Sequence, residues 1–375
     1  MNRRSWLQGA TSAAAVAALG GCVHSRNPAG PDCIVDAAAT PHAGNVPTFR
    51  SVAQALEQAA HSTRELFTIA IRPGRYVEKL EISRPGIELL GTSRDSTVIA
   101  FSAASGERRP GGGDWGMPGS ATLSVRAPRF RAAHLTIENT FDYPANFARP
   151  AGDPLRLTSP QAVALLAAAG SDCAHFRDVA VVGHQDTLFV DAGRSFFEQC
   201  RLVGHVDFIF GAGCALFEDC EVVSRPRNNV PEGYVLAPST SVHDAYGLVF
   251  RECRFIPQDE RVRDGQTFLG RPWHPGRDFP DGHYADPDAV GAAALLHCWL
   301  DRHIVPAAWT EMGGPARDGT RVMFQPADAR FFEFENRGPG AEPHPARRQL
   351  SAQDAATFTR AAILGSWEPA PFGAQ

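Results

Sequence analysis

Three things are missing from this sequence, and each absence removes a class of function. No run of five or more basic residues occurs, the formal net charge is −5, and the sequence pI is near 6.2. Nucleic-acid binding draws on a concentrated cationic surface, so no nucleic-acid partner is expected. A polyanionic partner would have to be met by local cations instead of global charge. The eight cysteines include no CxxC pair and no paired Cys/His spacing, so no zinc site is expected. The apolar run from Gly9 to Gly20 is too short to cross a bilayer, and no other candidate span follows it.

What is present points to stacked strands. Gly 35 and Pro 29 beside 43% hydrophobic residues fit a turn-rich β protein with a sizeable core. FRDVAVVGHQDTLF, from Phe176, aligns with FEQCRLVGHVDFIF, from Phe197, at an offset of 21 residues. A third copy, FEDCEVV, starts 20 residues further on at Phe217. A period near 20 with aromatic and β-branched positions in register predicts a strand-rich solenoid whose coils stack core on core. Residues one coil apart then lie roughly 4.8 Å from each other.

Asp186 and Asp207 are one coil apart in this register. Two carboxylates so placed cannot both ionise cheaply, so one should hold a proton while the other stays anionic. That pairing supplies a general acid beside a nucleophile or base. Gln185 adjoins the first Asp and Gln161 lies upstream, and neutral amides can donate to a developing oxyanion. Arg271, in LGRPW, is the candidate cation for the anionic partner. Asp also serves as a turn residue that caps coils. The apolar flank of Asp207 (Val206, Phe208, Ile209, Phe210) argues against that use, because an unpaired carboxylate is costly there. His184 and His205 repeat at the same offset and are read as a stacked pair or as surface residues, with no catalytic role.

These stretches resemble the pectin methylesterases, or pectinesterases. The matching motifs are GRYVE (Gly74 to Glu78), QAVAL (Gln161 to Leu165), QDTL (Gln185 to Leu188), DFIFG (Asp207 to Gly211) and LGRPW (Leu269 to Trp273). The resemblance runs from about residue 35 to the C-terminus, and five motifs in order are far more specific than any one. It implies a right-handed parallel β-helix and an esterase acting on methyl-esterified homogalacturonan or its oligomers, with no metal or cofactor and as a monomer. It further implies Asp207 as nucleophile, Asp186 as proton donor and acceptor, Gln161 and Gln185 at the oxyanion, and Arg271 orienting Asp207. Met117, Val206, Phe210, Trp273, Gly276 and Met312 would join Gln161 and Arg271 along the substrate groove. Met117 departs from the polar residue more usual in the family, while HPGRDFPDGHYADP and Met312 follow its bacterial branch. Two other readings stay open: an ester or thioester hydrolase on the same scaffold that has left pectin, and a non-catalytic binder of envelope polysaccharide.

The N-terminus reads as an address. Arg3 and Arg4 precede the apolar run, and Leu19-Gly20-Gly21-Cys22 resembles a bacterial lipobox, with Cys22 as the acylated residue. Asn2 to Leu7 also resembles a twin-arginine signal. The expected organisation is a signal segment over 1–21, a lipidated Cys22 and tether over 22–34, and the solenoid over 35–375. The protein would be exported and held by its lipid anchor. Val23, where inner-membrane retention would call for Asp, points to the outer membrane.

Cys200 and Cys220 hold the same position in adjacent repeats and are expected to form a disulfide in an oxidising compartment. The alternative is a ladder of reduced core thiols with Cys253 next in line. Further expectations follow the chain in order. Ser51 and Gln54 predict a capped helix over one end of the solenoid. Phe67 to Ile71 predicts a strand, with Tyr76 and Glu78 bracing an early coil. Residues 105–120 and 141–153 predict groove loops, and Ser351 to Gly365 a single final helix.

Overall fold

Every strand of the core pairs in parallel with the strand one coil away, so that like residues stack. The structure is a computed structural model that describes residues 30–39, 46–227 and 233–372. Cys22, the signal segment and most of the tether lie outside the described residues.

Three rows of short strands form the walls. In the first row Phe176, Phe197, Phe217, Phe250 and Leu295 stand in register. Val181, Leu202, Val222, Phe255 and Leu300 do so in the second. Leu123, Leu165, Leu188, Ile209 and Leu236 make the third. The 21-residue and 20-residue offsets are these stacking steps. Stacked Phe rings with centroids 4.5, 4.8 and 4.4 Å apart fill the interior. Close-packed aromatic ladders of this kind dominate the burial that holds a solenoid together. The architecture is a right-handed parallel β-helix.

Corners between rows are made by residues with positive φ. His134, Asp178, Gln199, Asp219, Glu252, His297 and Glu335 turn the chain from the first row into the second. Asp186 and Asp207 do so between the second and third rows, at φ 59° and 47°. Side chains other than glycine seldom adopt this conformation, and it collects at functional sites.

The first helix, α1 (Val52–Ala60), packs on the earliest strands and closes that end. Ser51 caps it, accepting from the Gln54 amide at 3.3 Å. Glu78 reaches the same terminus, with its two oxygens each accepting a backbone N–H, from Val52 and Ala53, at 2.8 Å. An anion at a helix N-terminus satisfies free donors and complements the dipole. Tyr76 donates to the Arg72 carbonyl at 2.9 Å, so GRYVE braces the first coils. The Phe67–Ile71 strand forms over the expected residues.

Three expectations are corrected. Residues 141–153 are not all loop: α2 (Tyr143–Ala148) forms there because Asp142 caps it through the Ala145 amide at 2.9 Å. The single final helix is two, α3 (Ala352–Ala355) and α4 (Arg360–Leu364). Thr359 re-opens the chain in extended geometry, caps α4 itself, and leaves Phe358 free to pack on Tyr246. Both helices cover the apolar outer face of the first row, over Phe196, Leu216 and Val249.

The third correction concerns the disulfide. Cys200 and Cys220 are free thiols, as are the other described cysteines. Residues in parallel register share a direction, and the contact between this pair is a hydrogen bond, the Cys200 amide donating to the Cys220 Sγ at 3.4 Å. Each Sγ also faces a main-chain carbonyl of the preceding coil: Cys200 to Phe176 at 3.5 Å, Cys220 to Phe197 at 3.4 Å, and Cys253 to Phe217 at 3.4 Å.

Candidate active site

Two glycines permit the corner that the site is built on. A Cβ on Gly204 would lie 2.3 Å from the Phe208 Cβ, and one on Gly183 would lie 2.7 Å from the Thr187 hydroxyl. The chain can therefore turn tightly after each glycine and send Phe208 into the core. Asp186 donates its amide to the Val206 carbonyl at 3.0 Å, which stacks the two GHxD turns. Between Val206 and Ile209 the register against the next strand shifts, a bulge that carries Asp207. Bulges re-aim a side chain relative to the ladder. Asp186 and Asp207 are each only 7% exposed.

Arg271 meets Asp207 with a two-pronged grip, Nε to Oδ1 at 2.9 Å and a terminal nitrogen to Oδ2 at 2.6 Å. It arrives from the neighbouring coil because its amide bonds to the Leu236 carbonyl at 3.0 Å. The Tyr234 ring lies 3.8 Å from the guanidinium carbon and stacks in turn on Phe268. Tyr234 had no signal in the repeat, because the third row resumes only after an insertion that breaks the period. Following the third-row strand from Ile209 to Leu236 locates it.

The two carboxyls are driven apart in charge state. Burial, and then the charge of Asp207, push Asp186 well above the usual carboxylate range, while Arg271 and the Gln185 amide pull the other way. Burial opposes the charge on Arg271, but Asp207 outweighs it and the guanidinium is held more firmly than usual. A carboxyl biased toward its protonated form thus stands beside one gripped by a cation, which is the arrangement a donor and a nucleophile need.

Gln161 and Gln185 lie on successive coils, joined by the Ala162 amide to the Gln185 carbonyl at 3.1 Å. The Gln161 Oε1 is buried and has no hydrogen-bond partner. Phe210 stacks on Phe189 at 4.3 Å, and Trp273 packs edge-on at 5.6 Å from Phe210. Met117 joins that apolar cluster. Val206 is buried, and its contribution is through its backbone, as the acceptor for Asp186.

Gly276 and Met312 open two antiparallel hairpins, Gly276–Phe279 with Gly282–Ala285 and Met312–Pro315 with Arg321–Phe324. His274, next to Trp273, stacks on Phe324 at 3.7 Å and ties the hairpins to the groove. His184 and His205 pack with Tyr143, and burial first, then neighbouring positive charge, lowers both. His184 reaches about 3, so it carries no charge near neutrality. Among the described residues no group of His, Cys, Asp and Glu could hold a metal ion.

The Pectinesterase family model matches residues 39–366. Pectinesterase A of Dickeya dadantii (strain 3937) is 42% identical over 326 residues, which are 86% of this chain and 88% of the relative. Among solved structures, pectin methylesterase PemA from Erwinia chrysanthemi superposes with TM-score 0.87 at 41% identity, covering 91% of this chain and 99% of its own. A pectin methylesterase in complex with a hexasaccharide matches with the same TM-score and identity, over 92% and 99%.

Proposed function

The chain belongs to the pectinesterase family and removes methyl esters from pectin, and from that premise we propose how its own residues carry the reaction. Asp207 attacks the C6 carbonyl carbon of a methylated galacturonosyl unit, and the carbonyl π pair moves onto oxygen. Gln161 and Gln185 donate to that oxyanion. As the intermediate collapses, the bond to the methoxy oxygen breaks and Asp186 delivers its proton, releasing methanol. An acyl-enzyme anhydride on Asp207 remains. Water then attacks this carbonyl while Asp186, now a carboxylate, takes its proton. Collapse frees the galacturonic acid, which yields its proton to solvent, and restores both aspartates.

The observation that carries this assignment is the asymmetry of the pair: Asp207 gripped by Arg271, and Asp186 pushed toward its protonated form. Arg271 keeps Asp207 anionic and aimed, and Phe210, Trp273 and Met117 provide the apolar floor for the sugar. Gly276 and Met312 border the groove through their hairpins. The test is methanol release from highly methylated pectin by the wild type and by Asp207→Ala. Release that persists in the variant would remove Asp207 from the nucleophile's role.

We also infer that the protein is exported, acylated at Cys22, held at the outer membrane, and monomeric. The support for export and the anchor is the sequence of the first 23 residues. Membrane fractions and intact mass of the mature protein test the anchor, since Cys22→Ala should abolish both the acyl mass and the membrane association. Sedimentation of a form starting after Cys22 tests the monomer.

A further inference from the structure

Of the 36 basic side chains in this protein one is a lysine, Lys79, directly after GRYVE. It sits part-buried, with its ammonium 5.0 Å from the centre of the Trp115 ring and 5.9 Å from that of Phe101. The two rings meet edge to face, with centroids 6.3 Å apart. The same ammonium donates to the Ala121 carbonyl. One cation therefore touches the chain just before, within and just after the excursion over residues 105–120.

That excursion is joined to the active site at two places. Its base is fixed to Gln161, whose carbonyl accepts from the Ser105 amide at 2.7 Å. Its far end is fixed to the following residues, since the Ser120 hydroxyl accepts from the Val163 amide at 3.1 Å and donates to the Met117 carbonyl at 2.7 Å. Met117, two residues beyond Trp115, packs into the Phe189 and Phe210 cluster. Asn139 secures the outer ends by donating to the carbonyls of Ala103, Ser120 and Val163.

We propose that Lys79 is a positioning residue for ester hydrolysis: its ammonium latches the 105–120 excursion and thereby places Met117 and Gln161 against the substrate. A cation over two aromatic faces is worth most when partly desolvated, as here. The inference rests on Met117 and Gln161 serving the substrate.

The latch has a built-in pH limit. Burial lowers Lys79 to about 8, against a smaller opposing effect of Glu81. Glu81 is paired with Arg126 at 2.9 Å, Glu78 is committed to α1, and in the excursion Arg108 pairs with Asp114 while Glu107 accepts from the Ala104 amide. The charge on Lys79 is therefore present at neutral pH and lost as pH rises through about 8.

The test compares wild type, Lys79→Met and Lys79→Arg on short methylated galacturonide oligomers between pH 6 and 9, with kcat and KM resolved. Lys79→Met should raise KM roughly five- to tenfold at pH 7, with a smaller effect on kcat, the loss expected for one cation–π contact. Wild-type KM should climb above pH 8, while Lys79→Arg, which keeps its charge, should recover much of the pH 7 value and lack that climb. If Lys79→Met folds poorly, acetylation of the native protein removes the same charge, and reductive methylation keeps it as the matched control. Unchanged KM after Lys79→Met or acetylation, or an alkaline climb that persists in Lys79→Arg, overturns the latch. Met117→Ala and Gln161→Ala separate the two layers: if neither alters the kinetics the groove reading fails and takes the latch with it, whereas normal sensitivity there beside an inert Lys79 sinks the latch alone.

Discussion

Arg271 holds both oxygens of Asp207, Nε to Oδ1 at 2.9 Å and a terminal nitrogen to Oδ2 at 2.6 Å, while its guanidinium carbon rests 3.8 Å from the centre of Tyr234. Charge, direction and desolvation of the proposed nucleophile all pass through this contact. Arg271→Lys keeps the charge but has no fork and no flat face to stack. It should lower kcat by about 10²-fold with little change in KM, given what a lost charge-positioning donor typically costs. Steady-state methanol release would check this, and a rise in KM with kcat intact would place Arg271 in substrate binding alone.

Asp186 ties the stability of the fold to pH. Its folded-state affinity for protons is raised above that of the unfolded chain, so between the two values the folded state binds more protons than the unfolded. Its contribution to stability is thus full below the unfolded value near 3.8 and is lost as pH rises through the folded one. Asp186→Asn removes the titration. Thermal melts should show the variant gaining on wild type as pH increases from 4 to 8, while its kcat falls by about 10²- to 10⁴-fold, the usual range for a lost acid–base group. A constant gap between the two melting curves at all pH values would contradict the linkage.

The stacked thiols make a simple chemical prediction. Alkylation after unfolding without reductant should label Cys200 and Cys220 fully, even in protein purified from an oxidising compartment. In the folded state both should stay unlabelled, because both are buried, and for Cys220 burial, with the adjoining thiols second, also suppresses the thiolate. Recovery of a linked Cys200–Cys220 peptide by mass spectrometry would show that the coil spacing yields to the bond.

At the far end of the solenoid Arg347 grips Glu333 with Nε at 2.9 Å and a terminal nitrogen at 2.5 Å, and both side chains are almost wholly buried. Trp309 and Asn336 also donate to Glu333. Removing one member leaves a buried charge unpaired, so Arg347→Ala should cost about 3–5 kcal/mol in denaturant unfolding. Esterase activity per folded molecule should be unchanged. A loss below 1 kcal/mol would mean that water or a neighbour takes over Glu333.

The stacking of the coils was legible in the chain because a solenoid writes its nearest-neighbour contacts into a period. The offset between Phe176 and Phe197, or between Asp186 and Asp207, is also their separation in space by one strand step. The helix cap at Ser51, the bracing by Glu78 and the family motifs are likewise short-range patterns that a reader of the sequence can find. Tertiary structure alone decided the contacts made by segments that leave the period. Tyr234 reaches Arg271 after an insertion, Lys79 reaches Trp115 and Ala121 across the 105–120 excursion, and Phe358 splits a helix by packing on Tyr246. The free state of Cys200 and Cys220 was decided there as well, since register brings two residues close without requiring a bond between them. Periodicity determines which coil neighbours which; how loops fold over the stack depends on packing and charge between residues that no repeat relates.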